Sequence, residues 1–312
     1  MQEQRSQQRN AARTTVIICT RNRYNDIMQF LPSLAEQTAL PDELIIVDSS
    51  DVSLQESHRF VEQFSDAQFP TVQLRYLHTK PGLTYQRNVG IDHATGDILY
   101  FFDDDVVLDK DYLEQMNGVF EQHPEYAGGM GTVHGMPQAQ YGWYWAIQRL
   151  FLLQRNYASG NFTWSGMPTH AYGTNSFKRV EVLGGCCMAY RAEAVRTHRF
   201  DETLGRYAYM EDCDVSLRVS RIAPLFFNPA ARLIHTHSPV ARDKIVDNRA
   251  MYIKNYTYLF FKNVYPTNRL KIIAYCWTVM GLFIQALLCR NIASVRGYWK
   301  GIMHAYSVVH GT

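Results

Sequence analysis

The chain has 312 residues, 46% of them apolar and 19% charged, with a formal net charge of +2. That length and apolar share exclude a disordered chain and allow one large core with an extension, or two small domains. The six Cys (19, 186, 187, 213, 276 and 289) are too scattered for a disulfide scaffold, and no C-x-x-C spacing offers structural zinc, so the chain reads as reduced and intracellular. The small total charge hides an asymmetry. Residues 14–240 carry 18 Lys/Arg and 26 Asp/Glu, whereas 241–312 carry 10 and 2, with no acid after Asp247. The acidic body is expected to have no nucleic-acid partner.

Residues 1–13 are polar and are expected to form a loose tail, neither signal peptide nor anchor. From there strands and helices alternate. Apolar, β-branched runs predict strands at 14–20 (TTVIICT), 44–48 (LIIVD), 72–77 (VQLRYL) and 97–102 (DILYFF). Helical spacing fills the gaps. It runs through Ile27, Phe30, Leu31 and Leu34 behind Asn25/Asp26, then over about 53–64, about 84–95 and 110–122. Such alternation predicts an α/β fold, a mainly parallel sheet with helices on both faces, and ligands at the carboxyl ends of the strands. The residues at those ends are polar: Thr20-Arg21-Asn22, Asp48-Ser49-Ser50-Asp51 and Asp103-Asp104-Asp105.

Residues 128–183, rich in Gly, aromatics and Asn, predict long substrate-handling loops with a short helix near 143–153. Regularity returns at 184–190 and in a helix over 210–222, followed by RLIHTHSP at 232–239. Further on, 272–289 is uncharged and just long enough to cross a bilayer, yet Tyr275, Thr278 and Gln285 interrupt it. Packing on the α/β body and lying in a membrane interface are equally weighted, with a span as the minor reading. Its basic surroundings, Arg296 and Lys300 included, would attract anionic lipid headgroups.

Three consecutive carboxylates after an apolar strand are costly unless neutralised, and their hard oxygens suit Mg²⁺ or Mn²⁺. Asp105 or Asp109 alone would suffice to cap the next helix; three acids exceed that need. Glu211-Asp212-x-Asp214 opens a helix, where the dipole favours acids in any protein, and equally offers a general base. His235 and His237 lie on a strand-like stretch, and one imidazole beside the acids would serve as a third metal ligand. Arg87 is either an ordinary surface residue or a bidentate clamp for a diphosphate. Cys186-Cys187 reads as a pair of small packed residues.

Taken in order, VIICTRNR at 16–23, LIIVDSSD at 44–51, GLTYQRNVGIDHATGDILYFFDDDV at 82–106, FDETLGRYAYMEDCDVSLR at 200–218 and the His at 235 resemble the family 2 glycosyltransferases. The resemblance implies a GT-A fold over 14–241. It also implies a helical extension over 242–312 similar to the membrane-associating tails of bacterial members that act on envelope or lipid-linked glycans. The implied reaction is metal-dependent, inverting transfer from a nucleotide-diphosphate sugar to a hydroxyl of a glycan or lipid-linked acceptor, at the cytoplasmic face of a membrane. By position it implies Thr20, Arg21 and Asp48 in the base and ribose pocket and Arg87 near the diphosphate. Asp105 would hold Mg²⁺ or Mn²⁺, with Asp103 and Asp104 toward ribose and donor sugar and Asp103 also within reach of the metal. Asp212 of the Glu211-Asp212 pair would be the catalytic base, and His235 the late metal ligand with His237 competing. Residues 134–183 and Gly184-Gly185-Cys186-Cys187 depart from the family pattern, which leaves the acceptor open.

Two rivals stay open. Asp103-x-Asp105-x-Val107 also fits the element of haloacid-dehalogenase-type phosphatases, with Asp103 as phosphorylated nucleophile, although that element normally sits on a first strand. A non-catalytic nucleotide-sugar-binding protein could share the fold. A first strand without G-x-G-x-x-G after it argues against a dinucleotide oxidoreductase.

Overall fold

The computed structural model describes residues 12–51, 69, 71–135, 142–156, 158–205, 207–236 and 245–310. The helix expected over about 53–64 and His237 lie outside these residues. Strands β1 (Thr14–Thr20), β2 (Glu43–Asp48), β3 (Gln73–His78) and β4 (Ile98–Asp103) match the expected runs within two residues. Helices α1 (Tyr24–Ala35), α2 (Leu83–His93) and α3 (Tyr112–Gln122) fall where the spacing places them. The interiors of β1, β2 and β4 are continuous apolar runs because both faces of those strands are buried.

The chain continues through β5 (Val106–Leu108), β6 (Gly128–Val133), α4 (Trp143–Leu150), β7 (Lys178–Val180), β8 (Cys187–Arg191), α5 (Ala192–Thr197), α6 (Glu211–Ser220) and β9 (Leu225–His235). The nine strands among the described residues form one sheet, ordered β3-β2-β1-β4-β8-β6-β9-β5 with β7 also on β9. The first four are parallel, as expected. Beyond β4 the sheet is mixed: β8 runs antiparallel to β4 and β6, while β9 is parallel to β6 and antiparallel to β5 and β7. An apolar run records that a strand is buried and nothing about its direction, so only tertiary pairing shows the mixture.

The registers bring the chemistry to one edge. Thr20 pairs with Asp48 and Cys19 with Asp103, so the ends of β1, β2 and β4 lie side by side. Gln86 of α2 braces that edge by donating its amide to the carbonyls of Thr20 (3.0 Å) and Val47 (2.8 Å). Asn88, two residues along, donates to the Phe200 carbonyl and accepts the Phe200 N–H, pinning the chain that leads towards α6.

The C-terminal part is helical: α7 (Ile245–Leu259), a π-helical turn (Phe260–Val264), α8 (Lys271–Leu288) and α9 (Ile292–His310). Gly297 and Gly301 let α9 cross α7 at backbone contact, since a Cβ at Gly301 would lie 2.3 Å from the Ala250 carbonyl oxygen. These helices share a second hydrophobic core with Met167, Leu204, Met210 and Cys213 around α6. The π turn widens the helix so that consecutive residues Lys262 (3.0 Å) and Asn263 (2.7 Å) both donate to the buried Asp214 of α6, which also accepts from Arg218 (2.6 Å). Lys262 (2.6 Å) and Tyr258 (2.8 Å) donate to Asp201 as well.

Burial pushes the Asp201 carboxyl up, but the Lys262, Thr203 and Tyr258 donors outweigh it and hold the group well below the usual range. A depressed folded-state pKa stabilises above the unfolded value of about 4 and loses that stabilisation as pH falls through the carboxylate range. Asp201→Asn is therefore expected to cost about 1–3 kcal/mol at pH 7 and less at pH 3. Urea titrations at both pH values check it, and an equal cost at both would remove the ion pair from the account.

Among the described residues one helix, α8, is long and apolar enough to cross a membrane, and 28% of it is buried. Ala274, Tyr275, Thr278, Leu282 and Ala286 face inward. Ile273, Trp277, Met280, Leu287 and Leu288 face outward, beside exposed Ile292, Trp299 and Met303 on α9.

Candidate active site

A cavity of about 640 Å³ opens at the carboxyl edge of the sheet, within the size range of small-molecule sites. Thr20, Arg21, Arg87, Asp103, Asp104, Glu211, Asp212 and His235 line it, so eight of the ten expected site residues meet there. Asp105 lies just behind them, 2.9 Å from His235 Nε2. Asp48 is the residue that stays apart: its carboxylate, at the end of β2, accepts from Ser50 and from the Tyr76 hydroxyl.

The three aspartates separate by direction. Asp103 and Asp105 face His235, whose Nε2 is 4.0 Å from Asp103 Oδ2. The short strand β5 makes this happen, because Val106 pairs with His235 on β9 and sets the imidazole against the end of β4. Asp104 turns the other way, accepting the Thr20 hydroxyl (2.7 Å) and Arg23 Nη1 (3.0 Å). Burial raises the Asp104 carboxyl to about 7 against the pull of those two donors. Burial also raises Asp103, opposed by Arg87 and His235. Burial pulls His235 down, but Asp105 and Cys186 push it up to about 10, so the cluster favours a positive charge among its carboxylates.

Asp103, Asp105 and His235 each offer one donor atom, all within 4.8 Å of one another. Two carboxylate oxygens and one imidazole nitrogen, converging and partly buried, fit a hard divalent cation such as Mg²⁺ or Mn²⁺.

Arg87 links this cluster to α6. Its buried guanidinium donates to Glu211 Oε1 (2.5 Å), to the Gly185 carbonyl (3.0 Å) and, at 3.5 Å, to Asp103 Oδ1. Both terminal nitrogens are thus bonded within the protein, at the wall of the cavity where the resemblance has the guanidinium approaching a diphosphate. Glu211 is correspondingly committed to Arg87. Burial, then the neighbouring Asp212, push the Glu211 carboxyl up against the pull of Arg87.

Asp212 is held open to the cavity by an unusual entry into α6. Ala208 (φ +50°) and Met210 (φ +71°) adopt left-handed backbone, which costs a residue with a Cβ roughly 1–2 kcal/mol each. The turn aims the first residues of the helix at Gly184-Gly185. Asp212 Oδ2 accepts the Gly185 N–H (2.8 Å) and Oδ1 the Cys213 N–H (2.8 Å). Close approach requires glycine at 184 and leaves little room at 185. A Cβ at Gly185 would sit 3.1 Å from Glu211 Oε1, and one at Gly184 would collide with the Tyr172 hydroxyl. The departure from the family pattern at these positions therefore makes room for the acids and for Tyr172.

The cavity also contains Arg23, His170, Tyr172, Tyr207 and Tyr209, which the sequence reading does not single out. Arg23 carries a signal in its place in VIICTRNR. His170 carries none, since the loops around it have no periodicity.

Residues 15–199 match the family profile described as glycosyl transferase family 2. The chain belongs to glycosyl transferase family 2. Over 123 residues it is 30% identical to a glucosyl-dolichyl phosphate glucuronosyltransferase of Haloferax volcanii, a match covering 39% of this chain and 38% of that protein. Over 110 residues it is 34% identical to an uncharacterized glycosyltransferase of Haemophilus influenzae, covering 35% of each. These matches thus span little more than a third of those relatives.

Solved structures similar in fold include GalNAc-T7 with UDP, GalNAc and Mn²⁺ (TM-score 0.60, 15% identity, 84% of this chain and 51% of that one). The mannosyltransferase PcManGT of Pyrobaculum calidifontis with GDP-Man and Mn²⁺ has TM-score 0.53 at 15% identity, over 94% of this chain and 84% of that one. TarS 1–349 of S. aureus has TM-score 0.53 at 15% identity, over 96% and 92%. At such identities the likeness establishes the fold of this family 2 chain, which is GT-A. The phosphatase reading of Asp103-x-Asp105 loses its support, since the family the chain belongs to is one of glycosyltransferases.

Proposed function

We propose that this chain transfers a sugar from a nucleoside-diphosphate sugar to a hydroxyl of a glycan or lipid-linked acceptor, with inversion, in a single displacement. The observation that carries this reading is one cavity holding a cation-accepting cluster (Asp103, Asp105, His235) and a separate carboxylate, Asp212, joined by Arg87 between Asp103 and Glu211. Thr20 and Arg21 take the nucleoside side, with Asp104 and Arg23 bracing Thr20, and Asp48 shapes the neighbouring edge. Asp103, Asp105 and His235 would hold Mg²⁺ or Mn²⁺, which when bound would offset charge on the leaving diphosphate. Asp212 drives removal of the acceptor proton, and holding both substrates in line supplies much of the remaining rate. Mn²⁺ with UDP or GDP-Man in two fold neighbours supports the donor class, and the dolichyl-phosphate-linked name of a relative supports a lipid-linked acceptor.

A thermal-shift panel of UDP, GDP, dTDP, CDP and CMP, with and without Mn²⁺, tests the reading. Saturation at 100 times Kd stabilises by about 2.7 kcal/mol. One nucleoside diphosphate is expected to raise Tm only with metal, and Asp105→Ala to abolish that dependence. No shift with any of them would count against it. A metal-dependent shift without sugar transfer from any donor would favour the non-catalytic binder.

The same chain is proposed to sit on an anionic membrane surface, its six free thiols fitting the reducing, cytoplasmic side. Because Tyr275 and Leu282 of α8 are committed to the second core, the outward apolar face fits in-plane seating better than a span. Retention on phosphatidylglycerol vesicles is expected to weaken as salt rises and to fall in Ile273→Ser/Trp277→Ser. Equal retention of that double variant would remove the face from the proposal.

A further inference from the structure

The way Asp212 is held bears on how it acts. It lies in the first turn of α6 and accepts two backbone N–H groups, from Gly185 and Cys213, all of which favour its charged form. Burial pushes the carboxyl up, but His170 and those two amides outweigh it and leave the group below its ordinary range. A carboxylate so stabilised is a weak proton acceptor, whereas general-base catalysis works best when the base titrates near the working pH.

The side chain chemically suited to that task lies beside it. His170 Nε2 is 3.7 Å from Asp212 Oδ2, and the ring is partly open to the same cavity. Two features hold the imidazole in place. Its ring stacks on Tyr172, with centroids 5.5 Å apart and planes 13° apart, and Tyr172 is itself fitted over Gly184. The preceding residue is tied at both ends: Thr169 N–H donates to the Asn161 carbonyl (3.0 Å), and its hydroxyl accepts the Arg155 N–H (2.9 Å). The titratable groups around the pair are Cys213 on α6, whose Sγ lies within 4.8 Å of the donor atoms of both His170 and Asp212, Glu211 on the same helix, Tyr172 on the loop, Cys186 beside Tyr172, and Tyr209 in the same cavity. Arg87, the nearby cation, is bonded to Glu211.

We propose that His170 and Asp212 act as a dyad in which imidazole Nδ1 takes the acceptor proton while Nε2–H is directed at Asp212 Oδ2. This rests on the glycosyl-transfer reading of the site and assigns its proton acceptor. As the acceptor oxygen attacks, the new bond to the anomeric carbon forms and the anomeric C–O bond to the diphosphate breaks. That electron pair leaves on the nucleoside diphosphate, and the hydroxyl proton passes to Nδ1. Asp212 then stabilises the imidazolium and keeps the ring oriented, as a buried carboxylate does for histidine bases generally. The loop carrying His170 thereby becomes part of the catalytic site, in a segment with no recognisable family motif.

Two readouts on the full chain test the dyad. The first needs no turnover: long-range ¹H–¹⁵N spectra of histidine-labelled protein at high pH, with the His170 signals assigned by their loss in His170→Gln. The dyad requires the Nε2–H tautomer, and an Nδ1–H tautomer overturns it. The second is the pH profile of kcat/KM, with folding of each variant checked by thermal melts and His170→Asn as a second variant. His170→Gln is expected to lose about 100-fold or more in kcat with unchanged nucleotide binding, and to change the acid limb of the wild-type profile. Added imidazole should restore part of the rate to His170→Gly, which a merely structural histidine would not permit. A His170→Gln enzyme with wild-type kcat and an unchanged limb overturns the dyad and leaves Asp212 as the sole base. A wild type that turns over no nucleotide sugar overturns the functional reading instead, while the tautomer still decides the geometry of the pair.

Discussion

Asp212→Asn is expected to lower kcat by about 10²–10⁴ while metal-dependent nucleoside-diphosphate binding persists. The carboxylate is needed by either route: taken directly it is the proton acceptor, and through His170 it balances the imidazolium that forms. The substitution keeps volume but offers a single carbonyl oxygen to two N–H donors, Gly185 and Cys213, so one of them loses its acceptor. That adds a stability cost of about 1–3 kcal/mol, separable from the rate loss by a melt. Rate assays with saturating donor, beside the thermal shift with nucleotide and Mn²⁺, check the expectation. Near-wild-type turnover would take Asp212 out of the mechanism.

Arg87→Ala should have the largest effect on stability. The guanidinium is buried and bonded to Glu211, Asp103 and the Gly185 carbonyl, so its removal leaves Glu211 buried and unpaired beside Asp212. Breaking a buried pair from one side typically costs about 3–5 kcal/mol. Arg87→Lys keeps the charge but not the fork, and should recover only part of the loss. Removing both partners, Arg87→Ala with Glu211→Ala, should cost less than Arg87→Ala alone, because no stranded charge remains. Urea unfolding of these three variants and of Glu211→Ala alone checks this order. A double variant that is simply the sum of its singles would show that the pair is not coupled.

Part of this site was legible without coordinates. Buried strands read as unbroken apolar runs, and helices in such folds return the chain so that every parallel strand ends at one edge, which made Thr20, Asp48 and Asp103 neighbours in advance. Which way each acid faces was not legible. Asp104 sits between Asp103 and Asp105 in the chain, yet it bonds to Thr20 and Arg23 while its neighbours face His235. Likewise His235 and His237 are two residues apart, and residues so spaced on one strand share a face, so alternation alone could not separate them. The pairing of Val106 with His235 seats that imidazole beside Asp105, and His237 lies outside the described residues.

Arg87 shows the same limit. Its charge and helix are plain in the sequence, but its partner Glu211 lies 124 residues away, and only the docking of α6 against α2 brings them together. His170 left no local trace because its role depends on a loop ordered by Thr169 and Tyr172, not on any repeating pattern.

By itself the sequence determined the alternating α/β architecture, the family, the acids at the carboxyl edge and the apolar character of 272–289. These follow from local composition and from the order of elements along the chain. The tertiary structure alone decided the antiparallel insertion of β8, the commitment of Arg87 to Glu211, the strained turn that opens Asp212 to the cavity, and the inward face of α8. Each of those depends on contacts between residues far apart in the chain, where free energy is set by mutual distance and burial that no local pattern encodes.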